Sequence, residues 1–193
     1  MAVLDWITPD AGLALEGERV RLRPPRAADH KAWAELRDQS RDFLQPWEPT
    51  WPADDLSRAA FRRRLSIYGR DQDLGQGYAF FVFRKIDDRL VGGINLRDIR
   101  RGVSQSGSLG YWVGKPHARC GFTSDAVRTL SRFCFGTLGL HRMEAACLPE
   151  NDASRILLLM AGFEVEGRAR GYLKINGAWR DHILFGKVRD ERG

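Results

Sequence analysis

The sequence predicts an α+β fold in which a mixed, mostly antiparallel sheet of about seven strands is flanked by about four helices. Two patterns indicate it. Short apolar or alternating segments are typical of strands, and longer segments with apolar residues three and four positions apart are typical of amphipathic helices. Their order is strand, two helices, three strands, helix, strand, helix and two strands. Strands that follow one another directly pair antiparallel, whereas the strand–helix–strand section supplies one parallel junction.

The first strand and the first two helices have clear boundaries. Glu18 to Arg23 reads E-R-V-R-L-R, an alternation that predicts a half-buried strand, and Pro24-Pro25 ends it. Helices are expected from Ala27 to about Gln39 and from Asp54 to Tyr68. The segment Phe43 to Pro52 between them holds three Pro and two Trp. It predicts an ordered loop and not a regular helix, because proline removes a backbone donor.

The middle of the chain predicts three consecutive strands. Tyr78 to Phe83 (Y-A-F-F-V-F) is strongly apolar, and Arg89 to Leu96 follows it across a turn at Asp87-Asp88. Gly107 to Val113 (G-S-L-G-Y-W-V) is the third strand of this meander and the fourth predicted strand of the chain.

A long helix and a strand follow the meander. Thr123 to Leu138 has the most regular apolar stripe in the chain, and we expect Ser124 to cap this helix. Gly139 ends it, because glycine favours the position after the last helical turn. His141 to Leu148 then predicts the fifth strand.

The C-terminal part predicts one short helix and a final hairpin. Asn151 caps a helix that runs to Ala161 and ends at Gly162. Phe163 to Tyr172 and Trp179 to Val188 are the last two strands, and they lie on either side of a turn at Asn176-Gly177.

Composition bounds the class of protein. The 193 residues suit one domain, and a hydrophobic fraction of 43% with ten Phe, six Trp and four Tyr excludes disorder as the dominant state. The formal net charge of +6 is carried by 26 Arg and five Lys. Arginine forks onto phosphate, so this bias could mark an RNA or phosphate partner. A solvated basic surface is the simpler explanation.

Cysteine usage and hydropathy bear on location. Cys120, Cys134 and Cys147 are odd in number and form no C-x-x-C pair, which argues against a disulfide framework and a four-cysteine zinc site. Free thiols suit the cytoplasm. Met1 to Asp10 lacks the pattern of a secretion signal, and no run approaches 18 apolar residues, so no membrane span is expected.

Most catalytic motifs are absent from the sequence. It contains no phosphate-binding G-x-x-x-x-G-K-[ST], no H-E-x-x-H, no G-x-S-x-G and no kinase signature. His30, His117, His141 and His182 lack ligand spacing, so we expect surface or hydrogen-bonding histidines and no metal site.

One loop has the properties of an anion site. Gly114 to Gly121 (G-K-P-H-A-R-C-G) joins a strand to a helix, where unpaired backbone N–H groups face the solvent. Lys115 and Arg119 add positive charge, and Gly121 permits close backbone approach. A pyrophosphate would fit this loop; a plain strand-to-helix connection explains it as well.

Several motifs together resemble the GNAT N-acetyltransferases. Y-W-V, followed by a loop with glycine before an aromatic residue and a hydroxyl-capped helix, resembles the acetyl-coenzyme A motif of that family. Leu148 to Ser154 (L-P-E-N-D-A-S) and Met160 to Gly167 (M-A-G-F-E-V-E-G) are similar to later segments of the family. Asp42 to Pro49 and Asn176 to His182 resemble the RimJ/RimL branch. The resemblance covers about residues 15–188, and it implies one acetyltransferase domain over residues 1–193 with a sheet splayed between strands four and five.

The resemblance also implies site residues. Ser154 would donate a proton toward the leaving thiolate, and a backbone N–H near Val113 would stabilise the oxyanion. Glu150 would receive the proton of the amine through water, unless Asp181 or bulk solvent does so. Acetyl-CoA is the implied cosubstrate, and the residues expected to bind it are Tyr111, Trp112, Val113, Arg119, Cys120, Gly121, Phe122, Thr123, Ser124, Asn151 and Ser154.

The expected substrate side is the proline-rich loop. Trp47 would shape the acceptor pocket, and Glu48 would attract an ammonium group. The alternative for Trp47 is a hydrophobic plug beneath the loop, and the alternative for Glu150 is a solvated loop carboxylate. Ser154 could instead be a first-turn serine bonded to the backbone. Asp181 could instead pair with Arg180 or a neighbouring arginine and hold the last strand. We assign Trp33 and Trp112 to the core, unless the strand face of Trp112 opens toward the cosubstrate.

Two departures from the family pattern bear on the mechanism. Arg119-Cys120-Gly121 stands where the family usually has Gly-x-Gly, so a side chain lies where the backbone normally approaches the pyrophosphate. Ser108 stands near the place of an acidic residue that is often found early in the fourth strand. The general base therefore has no obvious candidate.

The lack of an obvious general base favours one class of acceptor. An α-amine has a pKa of about 7.7–8.0 and a lysine one of about 10.4, so the α-amine needs far less help to lose its proton. The resemblance thus implies transfer to a protein N-terminus, with the N-terminal alanine of a ribosomal protein as the expected substrate. The alternatives are a small-molecule amine acetyltransferase and a binding module that has lost its cofactor site.

Overall fold

A mixed sheet of eight strands forms the centre of the computed structural model, which describes residues 13–189. The expectation about Met1 to Asp10 lies outside these residues. The strands are β1 Leu15–Glu16, β2 Val20–Arg23, β3 Tyr78–Arg84, β4 Arg89–Arg100, β5 Ser106–Val113, β6 Arg142–Cys147, β7 Glu164–Ile175 and β8 Ala178–Val188. The helices are α1 His30–Gln39, α2 Arg41–Leu44, α3 Arg58–Asp73, α4 Phe122–Arg132 and α5 Asp152–Met160.

The sheet order is β1-β2-β3-β4-β5-β6-β8-β7. All pairs are antiparallel except β5 and β6, which pair in parallel over only three positions, from Ser106↔Arg142 to Ser108↔Glu144. The remaining five residues of β5 have no partner in β6. The predicted α+β class is confirmed. The two-residue strand β1 and the short helix α2 are additional, so the predicted fourth and fifth strands are β5 and β6.

Helices cover both faces of the sheet. On one face α4 and α5 pack on a large apolar core that includes Leu96, Leu130 and Phe163. On the other face α1 and α3 pack through Trp33 and Phe61 on a smaller core that includes strands β3 and β4. Burial of each such side chain contributes about 1.5–3 kcal/mol. The assignment of Trp33 to the core is therefore correct.

Two local boundaries differ from the expectation. Helix α3 begins at Arg58 because the Ser57 side chain accepts a hydrogen bond from the backbone N–H of Ala60, so the predicted start at Asp54 is wrong. The proline-rich segment is helical at its beginning, since its first two residues end α2 and Gln45–Trp47 forms a 3₁₀ turn with proline in the first turn. Proline is tolerated there because a first-turn N–H has no helical partner.

The ends of α4 are set by glycines. Gly121, with φ of +79°, is the residue before the helix, and no side chain caps it, so the expectation that Ser124 caps α4 is wrong. The chain continues from α4 into a π-helical turn, Phe133–Thr137, and Gly139 follows with φ of +62°, as the helix-ending prediction requires.

Within residues 13–189 no helix is long and apolar enough to cross a bilayer. The same part of the chain contains no group of three or more His, Cys, Asp or Glu that could hold a metal ion.

Candidate active site

A gap opens where β5 and β6 diverge. Their pairing ends at Ser108↔Glu144, and the antiparallel register of β6 with β8 ends at Cys147↔Ile183. If the β5–β6 register is continued, Trp112 lies at the level of Leu148, the residue after β6. If the β6–β8 register is continued, His182 lies at the same level. The gap separates the end of β5 from the end of β6. The gap therefore brings together the ends of β5 and β6 and the middle of β8.

The loop after β5 presents backbone donors at one end of this gap. Arg119 has φ of +59° and Gly121 φ of +79°, so both residues are in the left-handed region. Because no side chain caps α4, the N–H groups of its first turn, Phe122 to Ser124, remain available to an anion. The positive end of the helix dipole lies at the same place. The loop thus fits a pyrophosphate.

Two arginines from earlier in the chain, Arg19 and Arg84, lie beside this loop. Arg19 Nη1 donates to the carbonyl oxygen of Cys120 at 2.8 Å, and its guanidinium lies 4.9 Å from the centre of the Phe122 ring. Arg84 lies 6.0 Å from the same ring centre and pairs with Asp87. The predicted cosubstrate residues Arg119 and Cys120 are exposed. The loop is therefore strongly basic, in keeping with an anionic ligand.

The buried carboxylate of Asp125 attaches the start of α4 to the strand β2. Asp125 is 1% exposed and accepts hydrogen bonds from the backbone N–H groups of Arg19 (2.8 Å) and Val20 (3.1 Å). These bonds fix the helix start to the beginning of β2. They also satisfy the carboxylate, which otherwise would oppose an anion at the helix N-terminus.

Ser154 and Tyr111 meet across the gap. The Asn151 side chain caps α5 by accepting from Ser154 N at 3.1 Å, so the predicted cap is confirmed. Ser154 Oγ lies 2.6 Å from Tyr111 Oη, which makes a hydrogen bond between α5 and β5. Burial raises the pKa of Tyr111 to about 12, so its hydroxyl stays protonated. Burial also raises the pKa of the Cys147 thiol, although the hydrogen bond with Ser154 acts in the opposite direction and lowers it.

A pair of glycines allows β4 and β5 to approach closely beside this site. A Cβ on Gly92 would lie 2.3 Å from the Trp112 carbonyl oxygen, and one on Gly93 would lie 2.4 Å from Trp112 Nε1. A cavity of about 10 Å³, lined by both glycines, Tyr111 and Thr123, lies between these strands and the first turn of α4. It has room for about one water molecule. Two consecutive glycines in a predicted strand were the signal for this approach.

The proline-rich loop is held on the α1 side by a buried arginine. Arg37 is 7% exposed and donates to both carboxylate oxygens of Glu48, at 3.1 and 2.6 Å. Trp51 Nε1 donates to the same carboxylate at 2.7 Å. The guanidinium lies 4.1 Å from the Trp51 ring centre and 5.1 Å from that of Trp112. Arg37 thus connects α1, the loop and β5.

The predicted substrate residues therefore differ in what they can offer. The charge of Glu48 is compensated by Arg37, so little attraction remains for an ammonium group. The Asn176 N–H donates to the Glu48 carbonyl oxygen at 2.9 Å, which joins the loop to the β7–β8 turn. Trp47 is 36% exposed and is available at the surface, in contrast to a buried plug. A contact of either residue with a substrate stays a prediction.

Both predicted carboxylate bases are occupied. Glu150 forms an ion pair with Arg180, in line with the register that sets the β6 exit beside β8. Asp181 accepts from the Gly171 N–H and from Arg168, both at 2.8 Å, and these bonds lower the pKa of its carboxyl. The lowered pKa makes Asp181 a weaker proton acceptor than a free carboxylate, and Glu150 is already paired with a cation.

Sequence reasoning missed the position of His182. The side chain is 3% exposed, and Nδ1 lies 3.1 Å from the carbonyl oxygen of Arg180. The Tyr172 ring contacts it edge-on with centres 5.6 Å apart. Burial lowers the pKa of the imidazole, which is therefore neutral at pH 7. The alternation of β8 was the available signal, because it puts residue 182 on the face opposite Ile183.

The comparisons agree with this geometry. Residues 19–164 match the acetyltransferase (GNAT) domain family. A probable N-acetyltransferase, YjcK of Bacillus subtilis, is 35% identical over 171 residues, covering 89% of this chain and 94% of that protein. The [ribosomal protein uS5]-alanine N-acetyltransferase of Escherichia coli is 32% identical over 173 residues, with coverages of 86% and 89%.

A solved structure is similar over nearly the same span. Mycobacterium smegmatis RimJ in complex with CoA-disulfide has a TM-score of 0.88 and 30% sequence identity, covering 93% of this chain and 89% of that one. The match over residues 19–164 and the two relatives above 30% identity establish what the splayed sheet and its basic loop indicate: the chain belongs to the GNAT family of acetyltransferases and uses acetyl-CoA.

Proposed function

We propose that this protein transfers the acetyl group of acetyl-CoA to the N-terminal α-amine of a protein, first among them a ribosomal protein that begins with alanine. One observation carries the choice of an α-amine over lysine. Glu48, Glu150 and Asp181, the carboxylates predicted to serve the site, are each bonded to an arginine. A site without a free carboxylate suits an amine with a pKa of about 7.7–8.0.

The ribosomal substrate is supported by similarity and charge. The Escherichia coli relative is named for the alanine of ribosomal protein uS5. The net charge of +6 favours a protein that acts close to ribosomal RNA in the cytoplasm, because basic side chains bind RNA phosphates. Such association weakens as the salt concentration rises. A small-molecule amine remains the alternative acceptor, and its cationic charge would favour an acidic pocket.

The loop after β5 would bind the pyrophosphate of acetyl-CoA, which supplies an activated acetyl thioester when bound. The backbone at Arg119 keeps the left-handed conformation that a glycine adopts readily. The arginine therefore leaves the shape of the loop unchanged and adds a charge that can bond phosphate. This favours a working cosubstrate site over a binding module that has lost it.

Ser154 and Val113 would act on the two ends of the thioester. The Ser154 hydroxyl, which forms a 2.6 Å hydrogen bond with Tyr111, would donate toward the leaving sulfur. The Gly114 N–H donates to the Val91 carbonyl oxygen in β4. Because successive N–H groups of a strand point to opposite edges, the N–H of Val113 faces the gap left by β6. It would donate to the thioester oxygen, and attack by the amine is direct, without a covalent enzyme intermediate.

The test is acetyl transfer measured as thiol release. The acceptors are peptides that begin with Ala or Ser, and the controls are the same peptides with a blocked N-terminus and a free lysine. Turnover only with the free N-terminus supports the proposal, and turnover with the blocked lysine peptides overturns it.

A thermal shift separates the remaining alternatives. A ligand at a hundred times its Kd stabilises a protein by about 2.7 kcal/mol. A shift with acetyl-CoA but no turnover on any peptide would point to a small-molecule acceptor. The absence of both would point to the binding module.

A further inference from the structure

We infer that His182 is the proton acceptor for the incoming amine. The role rests on the proposed acetyl transfer. The residue was not among those that the family resemblance assigns to the site. Three independent features of the structure support it: its face and level in the sheet, the free state of one ring nitrogen, and the occupied state of the neighbouring carboxylates.

His182 lies on the acceptor face of the gap. Ile183 packs with the α4–α5 core, so the adjacent His182 points to the opposite face. Trp112 is on that same face, because it packs with the α1–α3 core. The registers of β5, β6 and β8 put Trp112 and His182 at the same level on the two sides of the gap. A group between them would face the imidazole from one side and the end of β5 from the other.

The hydrogen bond of the ring defines the nitrogen that can accept a proton. A carbonyl oxygen only accepts, so the contact of Nδ1 with the Arg180 carbonyl oxygen assigns the proton to Nδ1. In the neutral ring, Nε2 then carries a lone pair. No residue of the described part of the chain forms a hydrogen bond with Nε2, and the side chain is 3% exposed. Nε2 therefore offers an unpaired lone pair to a partner that arrives with the substrate.

The surroundings of the ring favour its neutral form, in which Nε2 can accept a proton. On β8 the neighbours are Arg180 and Asp181, whose own partners are Glu150 and Arg168. From β7 the ring meets Tyr172, and the residue after β6 at this level, Leu148, is apolar. The two ion pairs largely cancel, and burial favours the uncharged imidazole.

The proposed step is balanced as follows. The amine nitrogen bonds to the acetyl carbon while the carbon–sulfur bond breaks. Nε2 of His182 takes the proton that the nitrogen loses, directly or through one water, and releases it to solvent afterwards. The departing sulfur takes the hydroxyl proton of Ser154, and the serine regains a proton from water, so one proton enters from solvent for the one that Nε2 releases. The products are the N-acetyl peptide and free CoA, with no oxidant or reductant required.

The variant His182→Asn tests this step. The Asn amide keeps a donor near the position of Nδ1 for the Arg180 carbonyl oxygen, but it lacks the lone pair of Nε2. We expect kcat/KM for an Ala-peptide to fall about 10²- to 10⁴-fold and its rise with pH below 7 to disappear. The affinity for acetyl-CoA should not change, because the ring is on the acceptor face. His141→Gln is the matched control, since that histidine is exposed.

A second measurement tests the role of His182 on the wild-type protein, in case the His182→Asn variant does not fold. Imidazole NMR on the wild-type protein with a bound CoA–peptide conjugate reports the tautomer directly. A neutral ring at pH 7 with the proton on Nδ1 supports the assignment, and a proton on Nε2 overturns it. A folded His182→Asn protein with unchanged rate and pH profile also overturns it. Wild-type protein without turnover on any α-amine peptide would instead overturn the proposed function and this role with it.

Discussion

Arg37 and Glu48 form a two-bond ion pair, 2.6 and 3.1 Å, that joins helix α1 to the loop on the acceptor side of the sheet. The guanidinium is sandwiched near Trp51 and Trp112, so the pair also reaches the end of β5. Because this ion pair is largely buried, it holds the loop in a fixed position against α1. The loop that would meet the substrate is therefore positioned by the same residue that contacts the strand beside the gap.

Removal of one partner of this pair should be costly. We expect Glu48→Ala to lower the free energy of unfolding by about 3–5 kcal/mol, because it leaves the buried Arg37 guanidinium uncompensated. Urea unfolding measures the change. The double variant with Arg37→Met should recover part of the loss, since no unpaired charge remains. A loss below about 1 kcal/mol for Glu48→Ala would show that the pair is a surface contact.

The contact between Ser154 and Tyr111 gives a prediction for catalysis. Ser154→Ala should lower kcat with little effect on the affinity for acetyl-CoA, because it removes a donor that acts on the departing sulfur. A decrease of about 10- to 100-fold is expected for one lost donor on a developing charge. Tyr111→Phe should cause a smaller decrease, since it removes only the group that orients the serine.

Ser57→Ala is the matched control for the serine variant. It removes the cap of α3 and should cost about 1 kcal/mol of stability while kcat stays unchanged. Equal kcat losses in both serine variants would indicate an effect of stability and would contradict the catalytic role of Ser154.

Local chemistry explains which features were predictable from the sequence. The cap by Asn151 and the turn at Asn176-Gly177, with φ of +44° and +82°, depend on residues a few positions apart, so the sequence displays them. The cap at Ser124 failed because Gly121 takes the left-handed conformation before the helix. Helix α3 begins later than the sequence predicts because Ser57, three residues after Asp54, caps it.

The roles of buried polar residues were not predictable, because they depend on contacts between distant segments. Arg37 and His182 look like ordinary charged or polar positions in a helix and a strand. Only the packing of α1 on the loop and the register of β8 against β6 shows that both are buried. The family resemblance could indicate a candidate cosubstrate loop for the opposite reason: its residues are contiguous in the chain.

The glycine pair in β4 gives a prediction for stability. Gly92→Ala would place a Cβ 2.3 Å from a backbone carbonyl oxygen, which cannot move without shifting β5. We expect a loss of at least about 1–3 kcal/mol in chemical unfolding, as for overpacked cores. Gly69→Ala is the control: this glycine is inside α3, and nothing lies within 4 Å of a Cβ there. It should stabilise by about 0.5–1 kcal/mol, and the same gain at Gly92 would contradict the close approach.

Arg119 offers the sharpest test of the cosubstrate loop. Its φ of +59° is a conformation that glycine adopts freely and that a β-branched residue resists. Arg119→Gly keeps the loop shape and removes one charge, so we expect the Kd for acetyl-CoA to rise only a few-fold and to depend less on salt. Arg119→Val removes the same charge and also strains the backbone, by about 1–3 kcal/mol. Calorimetric titration should then find binding weaker than that of the glycine variant by about tenfold or more. Equal affinities for the two variants would show that the left-handed backbone at this position contributes nothing to cosubstrate binding, and that the arginine acts through its charge alone.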